Sequence, residues 1–566
     1  MSSRLDSDKN ITDPHLPQTS AIRSAAAPAT SAVIGLALLL LAFLSLPLLI
    51  SPIPPLVDYP SHLARIKIIH EMIESGFFAN YYVISSLFVP NILFDLVAGA
   101  FSFLFPIEID GKIFLILALF LQLFGTLALH KVLHGRNSYW PLSSAILLYG
   151  WALLYGFVNY VAGVGLMLLA LALWIGLEGR SRWLRLGVGA ITVTIVYFTH
   201  VIALLVYAAA IAGFELQAAA ALFRHSPRAA AGRLATGAAP FLVPGCLFLT
   251  DKLTAGAFPS VPILSLDSKI AGPMIAATAG TAVGDLVTAV ALILCCGIIL
   301  CASRIRVAVR FRLALAFVCI AYLLAPLQFL ADDLDVRMPL AIGFLAIAAV
   351  DLDIRRRRLA AAAAVMMACI VTLRVGEVAT QSWRYAAVVD SYRAAFHHIE
   401  PGSTLLVARD VSCPPDRSAS CRQLTGSPLA DVTPFRQART YLFPDIYGDR
   451  LALPPHLVSL AAIDRDVFVP EIFSTPGIQP VRVRDTVAAL KRLQGDDPVD
   501  VASMADLRAF TLASEQQAGA ELRGHPLYLL MQRRVDATGL NPEGAITVAM
   551  GKDFSLFRLP DPPPDR

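Results

Sequence analysis

Apolar stretches, each bounded by polar or charged residues, recur along the first two-thirds of the chain. A helix needs about 20 apolar residues to cross a bilayer, and SAVIGLALLLLAFLSLPLLI at 31–50 is the first such stretch. The shorter stretch at 91–106 contains Asp95, and a charge at mid-membrane is costly, so we expect this stretch to lie along the outer face. The pattern therefore predicts about eleven spans. They cover 31–50, 112–130, 141–155, 161–177, 185–199, 201–217, 234–250, 285–302, 313–330, 339–353 and 359–375.

The pattern changes after Arg374. From 376 onward no run is long enough to span, and helix signals such as TVAALKRLQ alternate with strand signals such as HPLYLLMQRR and AITVAMGKDFSLFRL. The fold class predicted is a polytopic α-helical membrane protein with a C-terminal soluble α/β domain at 376–560. Polar tails at 1–30 and 561–566 are predicted to be disordered.

Positive charge is distributed unevenly between the predicted loops. Lysine and arginine clusters recur at 131–136, 180–185, 224–233, 304–312 and 355–358, and an even number of crossings separates each cluster from the next. Because cytoplasmic loops collect these residues, the clusters and the N-terminus are placed inside, and the C-terminal domain outside. In a bacterium this is an inner-membrane protein with a periplasmic domain.

The amino-acid composition is that of a membrane protein and not that of a soluble or nucleic-acid-binding protein. The chain is 56% hydrophobic and 16% charged, whereas a soluble domain is about half apolar and about a quarter charged. The net charge is only +4, and no basic stripe carries interleaved aromatic residues, so nucleic acid is excluded as a partner. Membrane lipids are the expected surroundings.

The first outer loop carries polar chemistry next to the membrane. A proline-rich segment ends the first span and brings Asp58 close to the surface. From Ser61 to Phe77, apolar residues recur at three- and four-residue spacing among histidines, basic residues and glutamates, which indicates an amphipathic interfacial helix. The membrane domain, 31–375, therefore includes an outer loop and juxtamembrane helices over 51–111.

This layout, together with the segment VDYPSHLARI, resembles the GT-C superfamily of polyprenyl-phosphate-sugar-dependent glycosyltransferases. That superfamily includes the protein O-mannosyltransferases, the aminoarabinose transferase of lipid A and the Rgt-type transferases of rhizobial lipopolysaccharide. The resemblance implies a GT-C-like membrane fold, a polyprenyl-phosphate-linked sugar as donor, and an envelope glycan or lipid as acceptor. It also implies that Asp58 is a catalytic base or a metal-site residue. Tyr59 and Pro60 follow Asp58, where many members carry a second acid.

Transfer from a lipid-phosphate sugar needs a carboxylate to accept the proton of the acceptor and cations to hold the phosphate. Asp58 is the candidate base, and His62, four residues later, is its candidate partner or an exposed histidine of the helix. Arg337 and Arg65 are candidate ligands of the donor phosphate. The structural alternatives are an ion pair of Arg337 with a neighbouring aspartate and an interfacial role for Arg65. No cofactor is certain, and a divalent metal remains an open alternative.

Other polar residues fall in turns on the same predicted side. The segment ADDLDVRMPL contributes Asp332, Asp333 and Asp335, while Asn159 and His200 end helical hairpins. All five are candidates for lining a cavity, and helix capping or interhelical hydrogen bonding is the structural alternative for the last two.

Two cysteines, Cys413 and Cys421, lie in one segment of the outer domain. An oxidising compartment favours a disulfide between them. Two other functions remain open at this point. A transporter would require repeated halves, which the sequence does not show. A non-catalytic subunit of an envelope-glycan assembly pathway fits the missing second acid.

Overall fold

The structure, a computed structural model, describes residues 27–73, 76–86, 88–255, 266–277, 282–327, 334–412, 455–475, 478–517, 522, 525–533 and 539–560. Within these residues the N-terminal two-thirds is helical. Its helices are α1 Thr30–Ile50, α2 Tyr59–Ile73, α3 Leu93–Phe101, α4 Ile107–His134, α5 Trp151–Leu154, α6 Val158–Gly176, α7 Arg182–Thr199, α8 Val201–Phe223, α9 Pro227–Ala238, α10 Leu242–Ala255, α11 Leu266–Ile275, α12 Ala282–Ala302, α13 Arg312–Leu324, α14 Leu334–Ala349 and α15 Arg357–Phe396.

Seven helical stretches in the described part of the chain are long and apolar enough to cross a membrane. They are Thr30–Ile50, Ile107–His134, Val158–Gly176, Val201–Phe223, Pro227–Thr250, Gly284–Ala302 and Arg357–Phe396. The prediction of a polytopic helical membrane protein is confirmed.

Four of the predicted spans have a different local structure. The stretch predicted at 141–155 forms a 3₁₀ helix, Trp140–Leu147, followed by the single turn α5. α13 and α14 have 13 and 16 described residues, and α7 carries arginines in its first turn. The segment Trp140–Leu147, α5 and α14 are buried or half-buried, whereas α7 and α13 each expose apolar side chains, and hydropathy alone does not separate these elements from the long spans.

The stretch 91–106 contains the short helix α3, whose 9 residues rise only about 14 Å. It cannot cross a bilayer by itself. Asn159 connects it to α6, because its Oδ1 accepts from Phe94 N at 2.8 Å and its Nδ2 donates to Asn91 O at 2.6 Å.

α15 runs without a break through the boundary predicted at 376. Its 40 residues extend about 60 Å, roughly twice the thickness of a bilayer core. One rigid element therefore joins the last span to the C-terminal domain. Of the tails predicted to be disordered, residues 1–26 and 561–566 lie outside the described residues, and Thr30 begins α1.

The C-terminal domain has a five-stranded sheet of order β6-β4-β7-β9-β8, which confirms the predicted α/β domain. β4 is parallel to β6 and β7, and the pairs β7–β9 and β9–β8 are antiparallel. The central strands β4 and β7 are buried along nearly their whole length, as their continuous apolar sequences require. The strands are β4 Thr404–Asp410, β6 Val499–Val501, β7 Leu527–Arg533, β8 Ile546–Met550 and β9 Phe554–Arg558, and the helices are α16 Leu460–Arg465, α17 Ala488–Gln494 and α18 Met504–Gln517.

Two small antiparallel sheets lie outside this domain core. β1, Tyr82–Ile84 of the first outer loop, pairs with β5, Val481–Val483 of the C-terminal domain. β2, Ser303–Val307, pairs with β3, Val350–Ile354, between two of the arginine clusters. The β1–β5 pairing joins the soluble domain to the loop that carries Asp58.

Candidate functional site

Asp58 lies immediately before α2 and is held by the turn that precedes α6. Its backbone N–H donates to Tyr155 O at 3.0 Å, and its carbonyl accepts from His62 N at 3.2 Å. Gly156 has φ +93°, and a Cβ at that position would lie 2.6 Å from Asp58 N. Only glycine allows both this backbone conformation and this approach. The Asp58 side chain keeps 12% of its surface exposed.

His456 of the C-terminal domain faces Asp58. Its Nε2 lies 3.6 Å from Asp58 Oδ1 and 3.9 Å from Asp497 Oδ1, and its Nδ1 lies 2.8 Å from Glu471 Oε1. Burial by itself lowers the pKa of His456, but Glu471 and the two aspartates raise it to about 9. The imidazolium form is therefore favoured at neutral pH, with both ring nitrogens carrying protons.

Glu471 is fully buried, and it fixes the His456 ring. Burial raises the pKa of Glu471, and the neighbouring His456 cation opposes that rise. Lys491 stabilises the surrounding loops by contacting Ile472 O at 3.1 Å, Gly495 O at 3.0 Å and the carboxylate of Asp496. The loops around the His456–Glu471 pair are therefore held together by hydrogen bonds from Lys491.

Arg65 is wholly buried in a polar network, with no side-chain surface exposed. Its Nε and Nη2 donate to the Asp95 carboxylate at 2.6 and 2.9 Å, and its Nη1 donates to Gln479 Oε1 at 2.6 Å. The guanidinium joins α2, α3 and the C-terminal domain. All three guanidinium nitrogens of Arg65 therefore contact protein side chains.

His62 turns its ring toward Arg65 and two phenylalanines, and its backbone N–H donates to the Asp58 carbonyl. Its Nδ1 lies 2.9 Å from Arg65 Nη2. Burial, followed by the cations Arg65 and His456, lowers the pKa of His62 well below its usual range. His62 is therefore neutral, whereas the charged imidazole of His456 lies 3.6 Å from the Asp58 carboxylate.

Arg337 lies near the start of α14 and contacts the turn that holds Asp58. Its guanidinium carbon lies 3.6 Å from the centre of the Phe157 ring, and its Nη1 lies 3.5 Å from His200 Nε2. Its carbonyl accepts from Tyr160 Oη at 2.6 Å. Asp58 and Arg337 therefore both contact the four-residue turn 154–157.

The His200 hydrogen bonds define which ring nitrogen carries the proton. Nδ1 accepts from Ile202 N at 3.1 Å, so Nδ1 is unprotonated and the proton of the neutral ring is on Nε2. Arg337 Nη1 is also a donor, and two donors at 3.5 Å do not bond each other. Both can donate to one shared anionic oxygen.

The remaining predicted residues have the following places. Asp335 is buried and pairs with Lys269, whose Nζ lies 2.7 Å from Asp335 Oδ2, and with the Ser268 hydroxyl. Asp332, Asp333, Cys413 and Cys421 lie outside the described residues. Among the described residues, no group of three or more histidine, cysteine or acidic side chains could hold a metal ion.

Sequence reasoning did not find His456 and Glu471. Nearly 400 residues separate His456 from Asp58 in the chain, and PPHLVSLAAI has no recognisable motif. The one available signal was a titratable side chain within an apolar stretch, and such a residue is often only a buried histidine with hydrogen-bond partners.

No protein-family model matches the chain, and no curated protein matches it in sequence. The similar solved structures include ArnT from Cupriavidus metallidurans bound to undecaprenyl phosphate, at 14% identity and a TM-score of 0.44, over 94% of this chain and 98% of that one. They also include ArnT from the same organism in the apo state, at 14% identity and a TM-score of 0.43, over 93% and 98% of the two chains.

Proposed function

We propose that this protein is an inner-membrane glycosyltransferase that moves a sugar from a polyprenyl-phosphate donor to an envelope glycan or lipid on the periplasmic face. One observation carries the proposal. The turn 154–157 contacts both Asp58, which carries the candidate carboxylate, and the guanidinium of Arg337, whose Nη1 lies 3.5 Å from His200 Nε2. These are the groups that the reaction requires.

Asp58 is the proposed base. As the acceptor oxygen bonds to the anomeric carbon of the sugar, Asp58 takes the acceptor proton. The bond between the anomeric carbon and the phosphate oxygen breaks, and its electron pair leaves with the polyprenyl phosphate. The partial exposure of the Asp58 side chain gives an acceptor hydroxyl access to it.

Arg337 and His200 are the proposed ligands of the donor phosphate. Arg337 is always charged, and its fork matches phosphate geometry. Stacking on Phe157 orients the guanidinium plane, and the Ile202 N–H fixes the His200 proton on Nε2. The leaving phosphate gains negative charge in the transition state, so donors fixed in advance lower the barrier.

The test measures release of polyprenyl phosphate from a panel of polyprenyl-phosphate sugars, using purified full-length protein and membrane-extract acceptors. Wild type is compared with Asp58→Asn and with Asp485→Asn, a control at an exposed aspartate whose side chain is 92% accessible. We expect release by wild type and by the control, and a loss of about 10²- to 10⁴-fold in Asp58→Asn.

Equal release by wild type and by folded Asp58→Asn would remove Asp58 from the chemistry. No release by wild type with any donor would favour the non-catalytic assembly subunit over the enzyme.

A further inference from the structure

The C-terminal domain contributes an imidazole to the surroundings of Asp58. We infer that His456, oriented by Glu471, is a positioning residue for Asp58, so that the catalytic carboxylate functions only when the C-terminal domain is docked on α2. This inference rests on the proposed function, and it assigns part of that function to the soluble domain.

The first support is the arrangement of charges around one ring. Carboxylate oxygens of Glu471, Asp58 and Asp497 lie 2.8, 3.6 and 3.9 Å from the His456 nitrogens. Glu471 accepts a hydrogen bond from Nδ1–H, which directs the Nε2 proton toward Asp58 and Asp497. The nearby histidine, His62, contributes no positive charge, because burial and Arg65 lower its pKa.

The same arrangement excludes a simpler role for His456. A ring that already carries two protons cannot accept another, so His456 is not the base. An imidazolium beside Asp58 instead keeps that carboxylate ionised and limits its orientations. Lys491 lies behind Glu471 and is engaged by Asp496 and three backbone carbonyls, and the Arg65 cation is balanced by Asp95.

The second support is the way in which the histidine is held in place. Phe473 N donates to Ser61 Oγ at 3.1 Å, one helical turn from Asp58, and the Phe473 ring packs edge-on against His456 at 4.7 Å. Arg65 bonds Gln479, and β1 pairs with β5. These contacts join the segments 471–475 and 478–483 to the juxtamembrane loop, and they hold the C-terminal domain, with His456, against α2.

The test compares turnover and its pH dependence in wild type, His456→Gln, Glu471→Gln and His398→Gln, an exposed histidine of the same domain. In His456→Gln we expect kcat to fall about 10- to 100-fold, with KM for the donor changing less than about threefold. The acidic limb of the pH–rate profile should move up by about one unit or more, because the carboxylate loses its neighbouring cation.

Glu471→Gln keeps the shape of the pair and removes only a charge, so it serves as the second variant if His456→Gln does not fold. Glu471→Gln should show a smaller loss of kcat. The alkaline limb of its pH–rate profile should move to lower pH, because the His456 cation loses the carboxylate that stabilises it. His398→Gln should match wild type.

Wild-type kcat in folded His456→Gln and Glu471→Gln would overturn the inference and leave the proposed function intact. A lower kcat with an unmoved acidic limb would also overturn it, because that result reports only loss of structure. An inactive wild type would overturn the proposed function, and this inference with it.

Discussion

Buried charged groups lie at both ends of the α6–α7–α8 hairpins, but they are paired in one way at one end and in another way at the other. Arg185, in the first turn of α7, and His200, just after its last residue, mark the two ends and lie about 22 Å apart along the helix axis. At the Arg185 end, Glu215 accepts from Trp174 at 2.8 Å and pairs with Arg185 at 2.6 Å and Arg233 at 2.7 Å. At the His200 end, two donors face each other, and an imidazolium sits among three carboxylates.

The difference separates charged groups that stabilise the fold from charged groups to which we assign a role in the proposed reaction. The Glu215 carboxylate is paired with two arginines, so this cluster needs no ligand to balance its charge, and removing Glu215 would leave Arg185 buried without its carboxylate. The proposed function adds two groups next to Arg337 and Asp58, the anionic phosphate of the donor and the hydroxyl of the acceptor. Arg65 lies at the same end and is paired with Asp95 and Gln479, so its position near the candidate site does not by itself give it a role in binding.

The largest effect on stability is expected from Glu215→Ala. Arg185 would remain buried without a paired carboxylate, at a cost of about 3–5 kcal/mol in the free energy of unfolding, whereas Arg233 would keep Glu178. Activity per folded molecule should be unchanged. Thermal unfolding in detergent together with turnover would check this, with Glu543→Gln as the exposed control. A stable but inactive Glu215→Ala would contradict the comparison.

Arg337→Gln should affect donor binding instead of folding. Hydrogen bonds to a charged group contribute about 1.5–3 kcal/mol, which corresponds to roughly a 10- to 100-fold increase in KM for the polyprenyl-phosphate sugar. Arg337→Lys should recover part of the loss, since it keeps the charge and not the fork. An unchanged KM in both variants would exclude Arg337 as a phosphate ligand.

Gly156→Ala should reduce stability and turnover together, because this turn holds Asp58. The left-handed backbone and the close approach to Asp58 N imply a cost of about 1–3 kcal/mol. Gly179, which also has positive φ but no heavy atom within 4 Å, provides the matched control. Gly179→Ala should lose some stability and retain full turnover per folded molecule.

The last expected effect is a change of stability with pH. The pKa of His456 is raised from 6.5 to about 9 in the folded protein. Its contribution is therefore complete below about pH 6.5 and is lost as the pH rises toward about 9. The unfolding temperature should fall over that window, and less so in His456→Gln. If the unfolding temperature falls equally in wild type and in His456→Gln, groups other than His456 cause the pH dependence.

Much of the architecture followed from local pattern. The apolar stretches located the long helices, and the loss of that pattern near 376 located the α/β domain. The pattern did not distinguish the 3₁₀ segment Trp140–Leu147 from a span, because burial inside a helical bundle selects the same apolar residues as lipid contact does.

Some residues of the candidate site could likewise be selected from the sequence, whereas their contacts could not. Sequence alone selected Asp58 and Arg337 from their residue types and their places near predicted span ends, and those features are local. Only the tertiary structure paired Arg65 with Asp95, aimed His200 at Arg337 and brought His456 to Asp58. The chain determines hydropathy and charge residue by residue, whereas the meeting of residues hundreds of positions apart depends on how the C-terminal domain docks on α2.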